Sequence, residues 1–398
     1  MLTHELTAGG TGTHVYELAQ GLSKRQHQIY ILSLRPYEEA FFLEPNITFC
    51  CTPSAADYIA AINRLFEHSA PPDIVHCHNL VCFPLASILC ERFPCRLVST
   101  VHGVVRPLAD RLGCSAMPKA IKLETRLCLE SQRVICVSHA VRHDVRAMYD
   151  VESSRLTTIY NGMDIAAFSN WAADTFRHES AKQQYAANGE QVVVFGGRID
   201  IQKGLGFLLE AAVQVCRRMD RVKYLIAGDK SSPYAHAILA AVRRHLSEEK
   251  MQFIGKVSRL ELASLYAFAQ LAVVPSLYEP FGYAAVEAMA CGCPVVASDV
   301  DGLKEVIENG VTGQLVPMHK ATIPWRMDSA ELVEAQCLLL NNSRLREQQA
   351  RAAQSYVRSS FGLEVMSKRV DDVYQEAMQL PPKRIDTAIT ESLTTGVS

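Results

Sequence analysis

No run of apolar residues in this 398-residue chain approaches the roughly 18 that a membrane-spanning helix needs. Met1-Leu-Thr-His-Glu-Leu also has neither the basic start nor the long apolar stretch of a secretory leader. The compartment expected from these two absences is the cytoplasm. Excess charge of either sign is lacking as well: 40 Lys and Arg against 42 Asp and Glu leave a formal net charge of −2 and a pI near 6.7. That excludes a surface built to coat nucleic acid, so any phosphate binding must be local. A disulfide framework is missing, because the 13 cysteines are odd in number and scattered, as reduced thiols are. Short internal repeats are absent too. With 48% hydrophobic residues and a mean hydropathy of +0.03, the chain is an ordinary globular sequence long enough for two domains with full cores.

Two motifs are incomplete in ways that decide against them. His76-Cys77-His78 with Cys82 has no second ligand pair at zinc-finger spacing, and neighbouring strand residues point to opposite faces, so no metal is expected there. Gly10-x-Gly12-x-x-Val15 approximates a dinucleotide fingerprint but lacks its third glycine. Ser33-Leu34-Arg35 stands where an acidic ribose-binding residue would be needed, which weighs against a nicotinamide-dependent oxidoreductase. No cofactor is expected.

What the chain does contain is regular alternation of strand-like and helix-like segments, the pattern of α/β domains with parallel sheets covered on both faces. In the first half the residues Val15, Leu18, Ala19 and Leu22 mark a helix, residues 56–68 another, and residues 29–34, 74–76, 97–101 and 134–137 strands. The second half opens with a strand at 192–195. It continues with helix 207–219, strand 224–227, helix 235–246, strand 251–254, helix 260–268 and strand 271–274. Residues 164–190 are polar with no clear strand and are taken as the linker, and a ligand is expected in the cleft between the halves. Only Met1 to His4 precede the glycine loop, few for a central strand; either the strand is short or the recorded start lies inside the original one, which would weaken the support beneath that loop. The Pro-Pro-Lys-Arg and Thr/Ser/Gly-rich sequence after Gln379 reads as a flexible tail.

The most informative stretch is Glu279-Pro-Phe-Gly-Tyr-Ala-Ala-Val-Glu287. Ala284, Ala285, Ala288 and Met289 recur at helical spacing, which predicts a helix from near Gly282 with Glu287 off its buried stripe. Gly292 is placed as a left-handed cap, and Pro294 stops the helix before the apolar strand 295–297. Glu279 thus precedes the helix and Glu287 lies within it. Backbone N–H groups of Phe281, Gly282 and Tyr283 at the helix start suit a diphosphate, and the flanking carboxylates suit hydroxyls, together an arrangement fit for a sugar nucleotide.

This stretch, with Pro275-Ser276 before it and Gly292-x-Pro294-Val295 after it, resembles the E-x7-E signature of the retaining family-four glycosyltransferases of GT-B fold (glycosyl transferases group 1). Gly9-Gly10-Thr-Gly-Thr-His14, Thr100-Val-His102-Gly103, Asn161-Gly162-Met-Asp164 and Gly196-Gly197-Arg198 with Lys203-Gly204 agree in order and spacing, from about residue 3 to about residue 375. The resemblance implies two Rossmann-like doubly wound domains facing a cleft. Residues 1–165 would form the acceptor-side domain, 166–355 the nucleotide-sugar domain, 356–378 a helix crossing back, and 379–398 the tail.

It also implies roles. Gly10 and Gly12 would let backbone approach the donor phosphate, and Arg198 and Lys203 would neutralise the departing diphosphate in place of a metal. His102 would reach the donor sugar and phosphate, Glu279 the sugar hydroxyls and Glu287 the nucleotide ribose. No carboxylate stands as an evident covalent nucleophile, so the resemblance implies front-face substitution with retention, the leaving phosphate helping to deprotonate the acceptor. Asp299-Val-Asp301 is a metal-binding spelling in a different glycosyltransferase fold; here it falls in a loop and reads as helix-cap chemistry. Ser138, His139 and Asn161 would shape the cleft without catalysing, and backbone near Gly255 to Val257 would contact the base.

The donor implied is a nucleotide diphosphate sugar, first a UDP-sugar and otherwise a GDP- or ADP-sugar. The acceptor would be a glycan, a lipid-linked or a small molecule. Lys119, Lys122, Arg126 and Arg133 form a basic stretch that relatives with lipid-linked acceptors use against the inner face of the membrane, but Glu124 and Glu130 interrupt it and a solvated helix face is favoured. The alternatives are a sugar-nucleotide 2-epimerase of related fold and an inactive nucleotide-sugar binding protein; the presence of Arg198, Lys203, Glu279 and Glu287 disfavours the latter.

Overall fold

The structure, a computed structural model, describes residues 1–4, 10–35, 44–51, 55–67, 69–320, 325–383 and 385. Gly9, His68, and Arg384 and residues 386–398 of the expected tail lie outside them. The chain divides into two units: residues 1–109, 115–163 and 363–398 in the first, residues 110–114 and 164–362 in the second.

The elements from the chain start are β1 (Leu2–Thr3), α1 (Gly10–Ser23), β2 (Ile29–Ser33), β3 (Ile47–Cys51), α2 (Ala55–Phe66), β4 (Ile74–Cys77), α3 (Phe83–Arg92), β5 (Arg96–Val101), α4 (Val105–Leu112), α5 (Pro118–Glu130), β6 (Arg133–Cys136), α6 (His139–Tyr149) and β7 (Leu156–Thr158). The first unit's sheet has the order β3-β2-β1-β4-β5-β6-β7, every pair parallel. Because successive strand residues face opposite sides, adjacent residues serve different cores. Leu97 packs with Leu85, Leu89, Leu123 and Leu127, and Val98 with Val15, Leu18 and Leu22 of α1.

The second unit contains α7 (Ile165–Ala173), α8 (Thr175–Tyr185), β8 (Gln191–Gly196), α9 (Leu205–Arg218), β9 (Val222–Ala227), α10 (Pro233–His245), β10 (Met251–Gly255), α11 (Arg259–Phe268), β11 (Leu271–Val274), α12 (Tyr283–Ala290), β12 (Val295–Ser298), α13 (Leu303–Val306), β13 (Gln314–Val316), a hairpin of β14 (Met318–His319) and β15 (Arg326–Met327), α14 (Ser329–Asn341) and α15 (Ser343–Ser360). Its main sheet runs β10-β9-β8-β11-β12-β13, again all parallel. Burial on both faces explains the uninterrupted apolar spelling of Val192, Val193, Val194 and Phe195.

The last helix, α16 (Leu363–Met378), belongs to the first unit, where Met366, Val370, Val373 and Ala377 pack into the core that holds α1. The boundaries between the units fall at 163/164 and 362/363, against the expected 165/166 and 355/356. The segment 164–190, expected as linker, instead forms α7 and α8 within the second unit. Phe168, 1% exposed, anchors it, an apolar signal that the surrounding polar residues mask. The first part of the expected tail makes contacts: Pro381 O accepts from Gln132 Nε2 at 3.2 Å, and Ile385 is buried.

Lys119, Lys122 and Arg126 of the basic stretch lie on α5 and Arg133 opens β6, but the charges are not all on a solvated face. Glu124 is 3% exposed, Tyr149 Oη and Val105 N donate to its Oε2, and Arg126 lies 5.1 Å from the Phe83 ring. Among the described residues no helix is long and apolar enough to cross a membrane.

Candidate active site

Both sheets change winding direction between their first and fourth strands, β1 and β4 in one unit, β8 and β11 in the other. At such a switch point the loops leaving the carboxyl ends of the two strands diverge, opening a crevice where open α/β sheets bind ligands. The site residues of each unit gather there.

In the second unit the loop after β8 carries Arg198 and Lys203. Asp200 caps the short turn Ile201–Lys203, its Oδ1 accepting from Lys203 N at 3.0 Å. Gly204 then turns left-handed at φ +67 to start α9. A Cβ there would meet Pro275 O, in the loop after β11, at 1.9 Å, so the two loops approach as closely as only glycine allows.

This contact sets Lys203 beside Glu279. Lys203 Nζ donates to Glu279 Oε2 at 2.6 Å, and Ser276 Oγ donates to the same oxygen at 3.0 Å. Glu279 is only 8% exposed. Its backbone N–H donates to Asp301 Oδ2 at 3.2 Å, while Asp299 pairs with Lys304 at 3.5 Å. Asp301 was expected to cap a helix; it instead fixes the Glu279 backbone, because α13 begins after Gly302.

Gly282, at φ +116, is the N-cap of α12, whose first bonds run from Ala285 N and Val286 N to Gly282 O. Phe281 and Tyr283 flank it, their rings 5.3 Å apart. Glu287 lies on α12 but not on a solvated face: it is 9% exposed and pairs with Arg259 at 3.4 Å. The apolar stripe of α12 is wider than the spacing suggested, because α15 and α7 cover it from two sides. Arg198 does not join the Lys203–Glu279 pair. Its side chain is 66% exposed and bonds Asp200 Oδ2 at 3.1 Å and Gln202 Oε1 at 3.2 Å.

In the first unit, α1 begins at Gly10, with Gly12 buried in its first turn. The start of α1, the residue after β4 and the residue after β5 bring His14, His78 and His102 together. His14 and His78 are 1% and 2% exposed. Ring centroids are 4.6 Å apart for His14 and His102 and 5.2 Å for His14 and His78. His102 Nε2 lies 3.5 Å from His78 Nδ1.

Burial holds His14 down at about 4, the amide of Asn161 acting weakly the other way. Burial, and then the neighbouring imidazoles, push His78 and His102 well below the ordinary histidine value. All three are therefore neutral near pH 7.

His76 lies against His78, ring centroids 3.9 Å apart, but both its ring nitrogens are engaged elsewhere. Its Nδ1 meets Tyr374 Oη at 2.6 Å and its Nε2 meets Thr100 Oγ1 at 2.7 Å, while Cys77 Sγ donates to Asn79 O. The His-Cys-His spelling thus does not converge on one point. Ser138 caps α6, accepting from Val141 N, and His139 Nδ1 is 3.4 Å from Thr158 Oγ1. The sequence reading assigned no role to His14, His78, Ser276 or Arg259. The available signal was position: His78 directly follows β4, and His14 follows Gly10 by four residues.

Residues 176–356 match the family described as glycosyl transferases group 1, and residues 8–167 match Glycosyltransferase Family 4. The chain belongs to the group-1, family-four glycosyltransferases of GT-B fold. It is 26% identical to an uncharacterized glycosyltransferase of Methanocaldococcus jannaschii, over 94% of this chain and 95% of that one. It is 27% identical to a glycogen synthase of Mycobacterium tuberculosis, over 93% and 91%. Among solved structures, Anabaena HepE in complex with UDP-glucose superposes with a TM-score of 0.79 at 20% identity, covering 94% of this chain and 98% of that one, a likeness of fold. The family makes this protein a transferase.

Proposed function

We propose that this glycosyltransferase moves a hexosyl group from a nucleotide diphosphate sugar, first a UDP-sugar, to a glycan, lipid-linked or small-molecule acceptor, without a metal and with retention of configuration. The observation that carries the reading is the Lys203–Glu279 pair, 2.6 Å apart where the loops after β8 and β11 meet.

Negative charge grows on the leaving phosphate as the anomeric carbon becomes oxocarbenium-like. A cation fixed in a partly buried site stabilises that state more than the ground state. Lys203 is proposed to supply it by exchanging its carboxylate partner for a phosphate oxygen, and the more exposed Arg198 to add a second cation by turning from Asp200. Glu279, held by Ser276 and by Asp301 through its backbone, would then accept from sugar hydroxyls, and Glu287 from the ribose. The backbone around Gly282 and its flanking Phe281 and Tyr283, together with Gly10 and Gly12, is assigned to the phosphates, and His102 to the donor sugar. The departing phosphate takes the acceptor proton on the face that it leaves. The UDP-glucose complex of HepE favours a UDP-sugar as the first donor to test.

The experiment is a thermal-shift screen of UDP-, GDP- and ADP-sugars, since a ligand at 100 times its Kd stabilises the native state by about 2.7 kcal/mol. A stabilising donor is then mixed with acceptor candidates, and the anomeric configuration of the product is read by NMR. Release of nucleoside diphosphate only on acceptor addition separates transfer from 2-epimerisation. A screen in which no sugar nucleotide raises the melting temperature would sink the proposal.

A further inference from the structure

Nε2 of His78 satisfies hydrogen-bond geometry with no described neighbour, and His14 has at most the distorted approach of the Asn161 side chain, although both imidazoles are almost wholly buried. An unmet polar atom of this kind is costly to bury, so two such imidazoles side by side call for a ligand. One ligating atom from each of His14, His78 and His102 lies within 4.8 Å of the others.

The geometry points to a site for a borderline divalent cation of the zinc class, held by His14, His78 and His102, whose occupancy silences the enzyme. Three imidazoles with a fourth position left open is a coordination that zinc adopts. Zinc–nitrogen bonds of about 2.0–2.1 Å at tetrahedral angles put ligand nitrogens about 3.4 Å apart. With one nitrogen from each ring inside 4.8 Å of the others, the separations need to close by at most about 1.4 Å to reach it.

Ligand chemistry selects the ion. An all-imidazole set suits Zn²⁺, Co²⁺, Ni²⁺ or Cu²⁺, whereas Mg²⁺ and Ca²⁺ demand oxygen. His76, locked by Thr100 and Tyr374, stacks on His78 with ring centroids 3.9 Å apart and so fixes the orientation of one ligand. A metal here takes His102 away from donor chemistry. This consequence rests on the role proposed for His102 above; the site itself does not.

The test titrates chelator-treated full-length protein with Co²⁺ and Zn²⁺ alone. The expected result is one Co²⁺ per chain with the visible bands of a four-coordinate, thiolate-free site, displaced by Zn²⁺. His14→Ala and His78→Ala should each weaken binding at least ~10-fold, the scale seen for perturbing metal-site residues. His245→Ala and Cys114→Ser, at exposed positions, should leave binding unchanged.

X-ray absorption of the zinc-loaded unmodified chain should count three imidazoles and stands even if a variant fails to fold. Absence of stoichiometric binding, retention of it in both histidine variants, or fewer than three imidazoles would overturn the site. Turnover should fall as metal is added and return with EDTA. Undiminished turnover with three-imidazole zinc bound would overturn the silencing, and with it the donor role of His102, while leaving the metal site itself standing.

Discussion

Gly204→Ala tests how closely the Lys203 and Glu279 loops must approach. An added methyl carbon meets Pro275 O at 1.9 Å, so the loops must separate by more than about 1 Å to restore an ordinary contact. A left-handed φ of +67 costs a non-glycine residue about 1–2 kcal/mol, and overpacking of this kind adds about 1–3 kcal/mol. A loss of about 3 kcal/mol corresponds to a fall of roughly 6–12 °C in a unit of this size.

The assay is selective, because both tryptophans of the chain, Trp171 and Trp325, lie in the second unit, so tryptophan fluorescence follows the unfolding of that unit. Turnover should fall together with stability: a misplacement of about 1 Å between Lys203 and Glu279 costs about 10²-fold. Gly206→Ala, two residues on in α9, is the control. Its Cβ would lie 3.6 Å from Tyr234 Oη, an ordinary contact, and alanine in a helix should stabilise by about 0.5–1 kcal/mol. A Gly204→Ala protein that melts within a degree of the parent and turns over normally would refute the reasoning.

Lys203→Ala and Arg198→Ala should each lower turnover by about 10² or more, but only Lys203→Ala strands the buried Glu279 carboxylate and should also lower the melting temperature; near-parental turnover in either would remove that residue from leaving-group chemistry. Activity assayed in excess EDTA should persist, and complete loss restored by Mg²⁺ or Mn²⁺ would contradict a metal-free mechanism. Burial raises the Glu124 carboxyl above its ordinary value against the hydrogen bonds from Tyr149 and Val105, so the folded state holds a proton that the unfolded state has released. Its contribution to stability is therefore present below pH 4.5 and is lost as pH rises through the folded value. In guanidinium unfolding followed by circular dichroism, Glu124→Gln should lose less stability than the parent between pH 4 and pH 7, and an equal loss would show that Glu124 is not the titrating group.

The second unit was largely legible because its parallel strands are buried on both faces and spelled in continuous apolar runs, as at residues 192–195 and 271–274. The motif 279–287 was legible because Gly282 and Gly292 occupy backbone conformations that glycine supplies, at φ +116 and +78. Other elements were not. β3, an edge strand in which only Ile47 is buried, shows no alternation of buried and exposed residues to mark it, and α7 and α8 hide a few anchoring residues among polar ones. Long-range partnership was also hidden: Lys203 and Glu279 are 76 residues apart in sequence, and only the parallel pairing of β8 with β11 makes them neighbours. The histidine cluster draws on three separate segments in the same way.

The return of α16 to the first unit has a consequence for how the chain is made. Val370, Val373 and Tyr374 complete the core beside α1, Asp371 accepts from Arg25 at 2.9 Å, and Tyr374 meets His76. On the ribosome the N-terminal sheet therefore emerges without the helix that covers one of its faces, while residues 164–362 have everything they need before α16 appears. The second unit can thus finish folding while the first still exposes apolar surface, a period in which chaperone binding and aggregation compete with closure. Damage confined to the last helix, far along the sequence from α1, should reach activity through the histidines at the N-terminal sheet.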